Sequence, residues 1–117
     1  GPTTVWDATG PRVSLSQFTP ETFGVARSPL SALRGGDATR NAELARDVFA
    51  GGGGPVRDVV IANAAAAWAA WASVSTAEID TAARIREGVE RVTHAIDSGA
   101  AATLLDRWIE VSRSLQG

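Results

Sequence analysis

The segment from Pro55 to about Ser73 predicts a helix with no polar face. Val56, Val59, Val60, Ala64, Ala67, Trp68 and Trp71 cover most of its circumference. A helix that is apolar all round is ordinarily buried on several sides. The rest of the chain must therefore wrap this segment, which becomes the central helix of the fold. Its alanines let neighbouring helices approach closely, and each of its tryptophans buries about 150–250 Å². Pro55 opens it at a position where a backbone N–H would be unpaired anyway. The apolar run from Val59 to Val74 is too short to span a bilayer and contains Asn63.

The flanking segments supply the wrapping. Asp37 reads as the cap of a helix from Ala38 to Ala50, with Ala42, Ala45, Val48 and Phe49 on one face. Gly51 to Gly54 stop it. Beyond the central helix, Ser75-Thr76-Ala77-Glu78 has the spacing of a capping box. The helix behind it carries Ile79, Ala82, Ile85, Val89, Val92 and Ile96 at helical intervals. Arg86–Glu90 and Glu87–Arg91 stand one turn apart as opposite charges, each contributing about 0.2–0.5 kcal/mol. Gly99 falls where a left-handed cap ends a helix. A last helix runs from Ala100 to Leu115, with Leu104, Leu105, Trp108 and Ile109 as its apolar stripe.

The amino-terminal end reads differently. Thr3 to Thr9 is β-branched and aromatic, Gly10-Pro11 punctuates it, and Arg12 to Phe18 alternates polar and apolar. Val13, Leu15 and Gln17 share one face. Two strands joined by a Gly-Pro turn make a hairpin, which is marginal in water unless it packs on something or extends a sheet. Thr19-Pro20 and Ser28-Pro29 each open a short helical turn. The expected architecture is thus a β-hairpin over 3–18, then a helical part over 28–117 with three main α-helices and a short one, mostly α by residue count. A chain of 117 residues is long enough to build one small core.

Composition narrows the chemistry. There is no cysteine, which excludes disulfides, thiolate metal sites and a cysteine nucleophile, and which fits a cytoplasmic protein. All 11 basic residues are arginine, so no lysine is available for a Schiff base or a phosphate contact. The net charge of −2 gives no electrostatic footprint for nucleic acid or an anionic membrane. No signal peptide is visible at the start.

Candidate sites reduce mainly to structural readings. Gly51 to Gly54 before a helix could cradle a phosphate. They lack the lysine and hydroxyl of a P-loop and follow no strand, so the reading is a helix stop. Gly35-Gly36-Asp37 raises the same possibility and reads as cap plus tight turn. His94 has only Glu90 one turn away, too little for a metal and without the positioned partner a general base needs. No spacing argument joins Asp7 and Glu21 as a carboxylate pair. Asn63 is an amide in an apolar helix, where a buried amide without a partner costs about 1–3 kcal/mol. Tying the helix to a loop is its expected role. No catalytic, cofactor-binding or metal-binding residue is assigned.

Five segments in order resemble the carboxy-terminal portion of anthranilate phosphoribosyltransferases, particularly actinobacterial ones. Gly1-Pro2-Thr3-Thr4-Val5-Trp6 resembles that family's GPT-x-V strand. Phe18 to Gly24 resembles its TPEDFG stretch. Leu33 to Ala38 with Asn41-Ala42 resembles LRGGDAxxNA, and Gly54 to Val60 with Asn63-Ala64-Ala65 resembles GPxRDxVxxNAA. Ala95 to Ala101 resembles AIDSGxA near the terminus.

The resemblance implies the end of an α/β phosphoribosyltransferase, an enzyme that uses magnesium to transfer phosphoribosyl from phosphoribosyl pyrophosphate to anthranilate in tryptophan synthesis. It further implies that the family's Gly-Thr-Gly-Gly-Asp loop, Lys-His-Gly-Asn segment, anthranilate-binding arginine and metal-holding Asp-Glu pair lie upstream, with no counterpart here. Gly35-Gly36-Asp37 matches a different family position from that loop. The expectation is a structural portion that is inactive alone, whose partners are the upstream part of the enzyme and further copies of itself. The alternative is a non-catalytic interaction module derived from the same family.

Overall fold

The computed structural model describes residues 2–76 and 80–115. A hairpin of β1 (Thr3–Asp7) and β2 (Ser14–Phe18) leads through two single-turn 3-10 helices, Pro20–Phe23 and Leu30–Leu33, into four α-helices. These are α1 (Ala38–Phe49), α2 (Pro55–Thr76), α3 (Thr81–Asp97) and α4 (Ala100–Ser114). The expected hairpin-plus-helices order is present, with α1 as the shortest helix.

The strands pair antiparallel with Val5 opposite Ser16 and Trp6 opposite Leu15. Because side chains alternate across a strand, this register sorts the hairpin into two faces. Val5 and Phe18 turn inward, Phe18 meeting Phe23 edge-on with ring centroids 6.3 Å apart. The face carrying Trp6, Val13 and Leu15 is bare.

The core lies along α2 and α3. Ile61, Ala65, Ala69 and Ala72 form a buried stripe on α2 at intervals of one helical turn. Phe18, Phe23, Ala69 and Ile85 make one apolar cluster under the hairpin. Val48, Ile61 and Ile96 make a second near α1 and α4, and Val89 packs against both. Gly88 on α3 lies so close to α2 that a Cβ there would stand 2.7 Å from the Ala65 carbonyl oxygen.

The central helix is not wrapped as its composition predicts. Among the described residues only α3 runs along it, while the hairpin, the second 3-10 turn and α1 cover parts of the rest. Trp71 and Val74 consequently stand in solvent. The whole chain shares this openness. Its radius of gyration is 16.1 Å, against about 13 Å for a compact domain of this length. Its accessible surface is 8085 Å², against about 6,000 Å² for a folded monomer of this mass.

Several local expectations hold. The Asp37 side chain accepts from Arg40 N at 2.8 Å, and Gly99 sits at φ +78°. Of the two expected helix-face pairs, Glu87–Arg91 closes at 2.9 Å. Others are corrected. The Ser75–Glu78 box runs into residues 77–79, which lie outside the described residues, as does the expected core position Ile79. The helix beyond is capped by Asp80, whose carboxylate accepts from Ala83 N at 3.2 Å. On α1, Val48 is buried while Ala42 and Ala45 are exposed, because the helix packs mainly through its carboxy-terminal end. On α4, Leu105 and Ile109 turn inward but Leu104 and Trp108 do not.

Candidate functional site

The most developed polar cluster lies where β1 meets the start of α3. Asp7 Oδ1 accepts from the Thr9 backbone N–H at 2.9 Å and from the Thr9 hydroxyl at 2.6 Å. Its Oδ2 accepts from the Thr81 hydroxyl and from Arg84 Nη2, the latter at 2.7 Å. The Arg84 and Asp7 side chains are only 3% and 12% exposed. The Thr81 hydroxyl, then the Thr9 hydroxyl and N–H, and the Arg84 charge hold the Asp7 carboxyl well below its ordinary range. A carboxylate with both oxygens engaged and its proton so weakly held makes a poor general base. A cavity of about 390 Å³ opens beside it, lined in part by Val5, Trp6, Ala66 and Ala70. Ser73 on its wall already donates its hydroxyl to Ala70 O at 2.6 Å. The cluster acts as a clamp between hairpin and helix.

The sequence gives one sign of this clamp that the apolar pattern obscures. Arg84 stands beside Ile85 and one turn before Gly88, on the buried face of α3. A charge on a core-facing stripe calls for a buried partner.

The residues weighed from sequence fall elsewhere. Asp7 and Glu21 do not form a pair: Glu21 is bound in both oxygens by Arg27, at 2.8 and 3.1 Å. Asn63 is exposed on the wall of a second cavity of about 570 Å³, near Leu30 and Leu33. Its Nδ2 donates to Val59 O in its own helix at 2.9 Å, so it ties no loop. The reason is that α2 presents this position to solvent instead of burying it. His94 and Glu90 are both exposed on α3. Gly51 and Gly54 hold φ of +91° and +104°, as a helix stop and restart require.

Several polar groups of the family-like segments are spent on the fold. Within the Gly35-Gly36-Asp37 stretch, Asn41 Oδ1 accepts from Gly36 N at 2.9 Å while its Nδ2 donates to Gly36 O at 3.0 Å. The arginine of the Gly54 to Val60 segment, Arg57, meets the aspartate of the Ala95 to Ala101 segment, Asp97, at 2.7 Å. That pair ties the start of α2 to the end of α3. In the Phe18 to Gly24 stretch, Thr19 N donates to the Thr22 hydroxyl at 3.1 Å and Gly24 turns left-handed at φ +68°.

Magnesium is implied by the resemblance for a whole enzyme. Among the described residues no three of His, Cys, Asp and Glu come together as a metal site. The Asp7 carboxylate is engaged by Arg84. Among those residues, too, no helix is long and apolar enough to cross a membrane.

A hairpin backed by helices, with family-like segments in order, is the arrangement expected at one end of an α/β transferase fold. The profile of the glycosyl transferase family, a/b domain, matches residues 1–102, and the chain belongs to that family. It is 48% identical over 111 residues to an anthranilate phosphoribosyltransferase of Saccharopolyspora erythraea, covering 95% of this chain and 31% of that protein. It is 48% identical over 103 residues to the Rhodococcus jostii enzyme of that name, covering 88% and 28%. The Nocardia farcinica one is 43% identical over 116 residues, covering 97% and 34%. The chain thus spans about a third of the length of these curated relatives.

Proposed function

We propose that this chain serves as the structural carboxy-terminal portion of an anthranilate phosphoribosyltransferase and does not transfer phosphoribosyl by itself. In the complete enzyme, phosphoribosyl passes from phosphoribosyl pyrophosphate to anthranilate, with magnesium held by residues outside this chain. The observation that carries the reading is the internal use of the motif residues. Arg57 with Asp97 and Asn41 with Gly36 are bound to one another and line neither the 570 nor the 390 Å³ cavity, and Asn63, which does line the former beside Asp58, donates within its own helix. On this reading their task is to fix the helices that buttress the reacting part of the enzyme. The absence of cysteine supports work in the cytoplasm.

The test is an assay of phosphoribosyl transfer to anthranilate with magnesium. The chain alone should give no turnover, and adding the upstream two-thirds of the Saccharopolyspora erythraea relative should restore it. Turnover by the chain alone would overturn the reading.

A second reading, a stand-alone interaction module, is favoured by the two apolar clusters that the chain builds from its own residues. Failure to bind the upstream portion, together with a cooperative melt of the isolated chain, would select it.

A further inference from the structure

The hairpin is fastened to the helices at two levels. In its register Thr3 stands opposite Phe18 at the base, and Asp7 opposite Ser14 near the tip. Four strand steps separate these levels, about 13 Å. At the base Phe18 is buried with Phe23, Ala69 and Ile85. Near the tip Asp7 accepts from the Thr81 hydroxyl and from Arg84 at the start of α3. Alongside this stretch the 390 Å³ cavity opens, with Val5 and Trp6 of β1 on one wall and Ala66 and Ala70 of α2 on another. Of the residues in the two strands only Phe18 is buried. The outer face, with Trp6 and Leu15, is exposed.

The helices are held by other contacts. Val48, Ile61 and Ile96 join α1, α2 and α3 in a cluster built wholly from helix residues. The crossing of α2 and α3 is tightest at Gly88 and Ala65, away from the strands. Segments with few buried apolar side chains open at lower free energy than a core, and they do so as contiguous units. A two-stranded hairpin off its support is marginal in water, so its pairing is lost along with its docking.

We infer that residues 3–18 form a latched strap. The strap leaves the helices as one unit about Phe18, with Asp7 on Thr81 and Arg84 as the latch, while α1, α2 and α3 stay folded. Its release uncovers the α2 and α3 walls of the cavity, including Ser73 and Ile85. The inference does not rest on the transferase reading, since it needs only contacts within this chain.

Native-state hydrogen exchange of the wild-type chain in increasing urea, read by NMR, tests it. Strand amides should be protected about a hundredfold less than the core amides of α2 and α3 around Ala65 and Ile85. Their exchange should also respond weakly to urea, because the opening wets little surface. Asp7→Asn should lower strand protection by about tenfold or more. Val48→Ala, in the cluster that the hairpin does not join, should lower helix protection by about tenfold and leave strand protection unchanged. One protection and one urea slope shared by strands and helices would overturn the inference. So would strand protection that is untouched by Asp7→Asn, or that falls together with the helices in Val48→Ala.

Discussion

Asp7 and Arg84 stand 77 positions apart in the chain, yet their carboxylate and guanidinium meet at 2.7 Å. The contact bolts β1 to the first turn of α3. Buried pairs of this kind do little for net stability when intact, but removing one partner leaves the other charged and dry. Asp7→Ala and Arg84→Met are each expected to destabilise the fold by about 3 kcal/mol. The double variant should lose less than the sum, with a coupling of about 1–3 kcal/mol. Urea unfolding of the four chains measures it. A purely additive result would show that the pair does not act as a clamp.

The same carboxylate makes stability depend on pH. Its folded form is lowered from an ordinary value of 3.8, chiefly by the Thr81 hydroxyl and then by Thr9. Between the two values the unfolded chain binds the extra proton, so stability rises with pH there. The contribution is fully present above the ordinary carboxylate range and is lost as pH falls below it. Melts at pH 7, 4 and 2.5 should show the gap between wild type and Asp7→Asn narrowing as the pH drops. A gap that is constant across this range would contradict the assignment.

At the crossing of α2 and α3 there is no space for a side chain on α3. A Cβ on Gly88 would meet the Ala65 carbonyl oxygen at 2.7 Å and its Cα at 3.1 Å, both backbone atoms. Alanine gains about 1 kcal/mol over glycine in helix propensity, but overpacking against backbone costs about 1–3 kcal/mol. Gly88→Ala should therefore be neutral to destabilising by about 2 kcal/mol, whereas a solvent-facing glycine in a helix would be improved by the same change. Thermal denaturation decides between them, and a clear rise in melting temperature would mean that the helices separate freely.

Asp80 sets the start of α3. Losing a capping carboxylate costs about 1 kcal/mol, so Asp80→Ala should lower stability by that amount and Asp80→Ser should recover most of it. Chemical denaturation of the two variants provides the comparison.

Caps and turns were the most legible part of this chain. Asp37, Gly99 and Pro55 each do locally what their chemistry dictates, and local rules need no knowledge of distant contacts. The hairpin was legible for the same reason. Burial was harder. The composition of α2 implies a helix enclosed on all sides, yet Trp71 and Asn63 face water, because a helix can be wrapped only by as much chain as surrounds it. The Asp7–Arg84 clamp joins residues whose nearness only the fold creates. Gly88 is another such case: a glycine inside a helix pattern looks like a weakness until the facing backbone is placed.

The openness of the fold has a calorimetric consequence. Unfolding raises the heat capacity in proportion to the apolar area newly wetted, about 12–15 cal/mol/K per residue for compact domains. Here the hairpin face of Trp6, the Trp71 edge of α2 and the Trp108 stripe of α4 are wet before melting begins. The dilute chain should therefore fall below that range. Its stability curve should be shallow, so that cooling protects it little and warming harms it gradually.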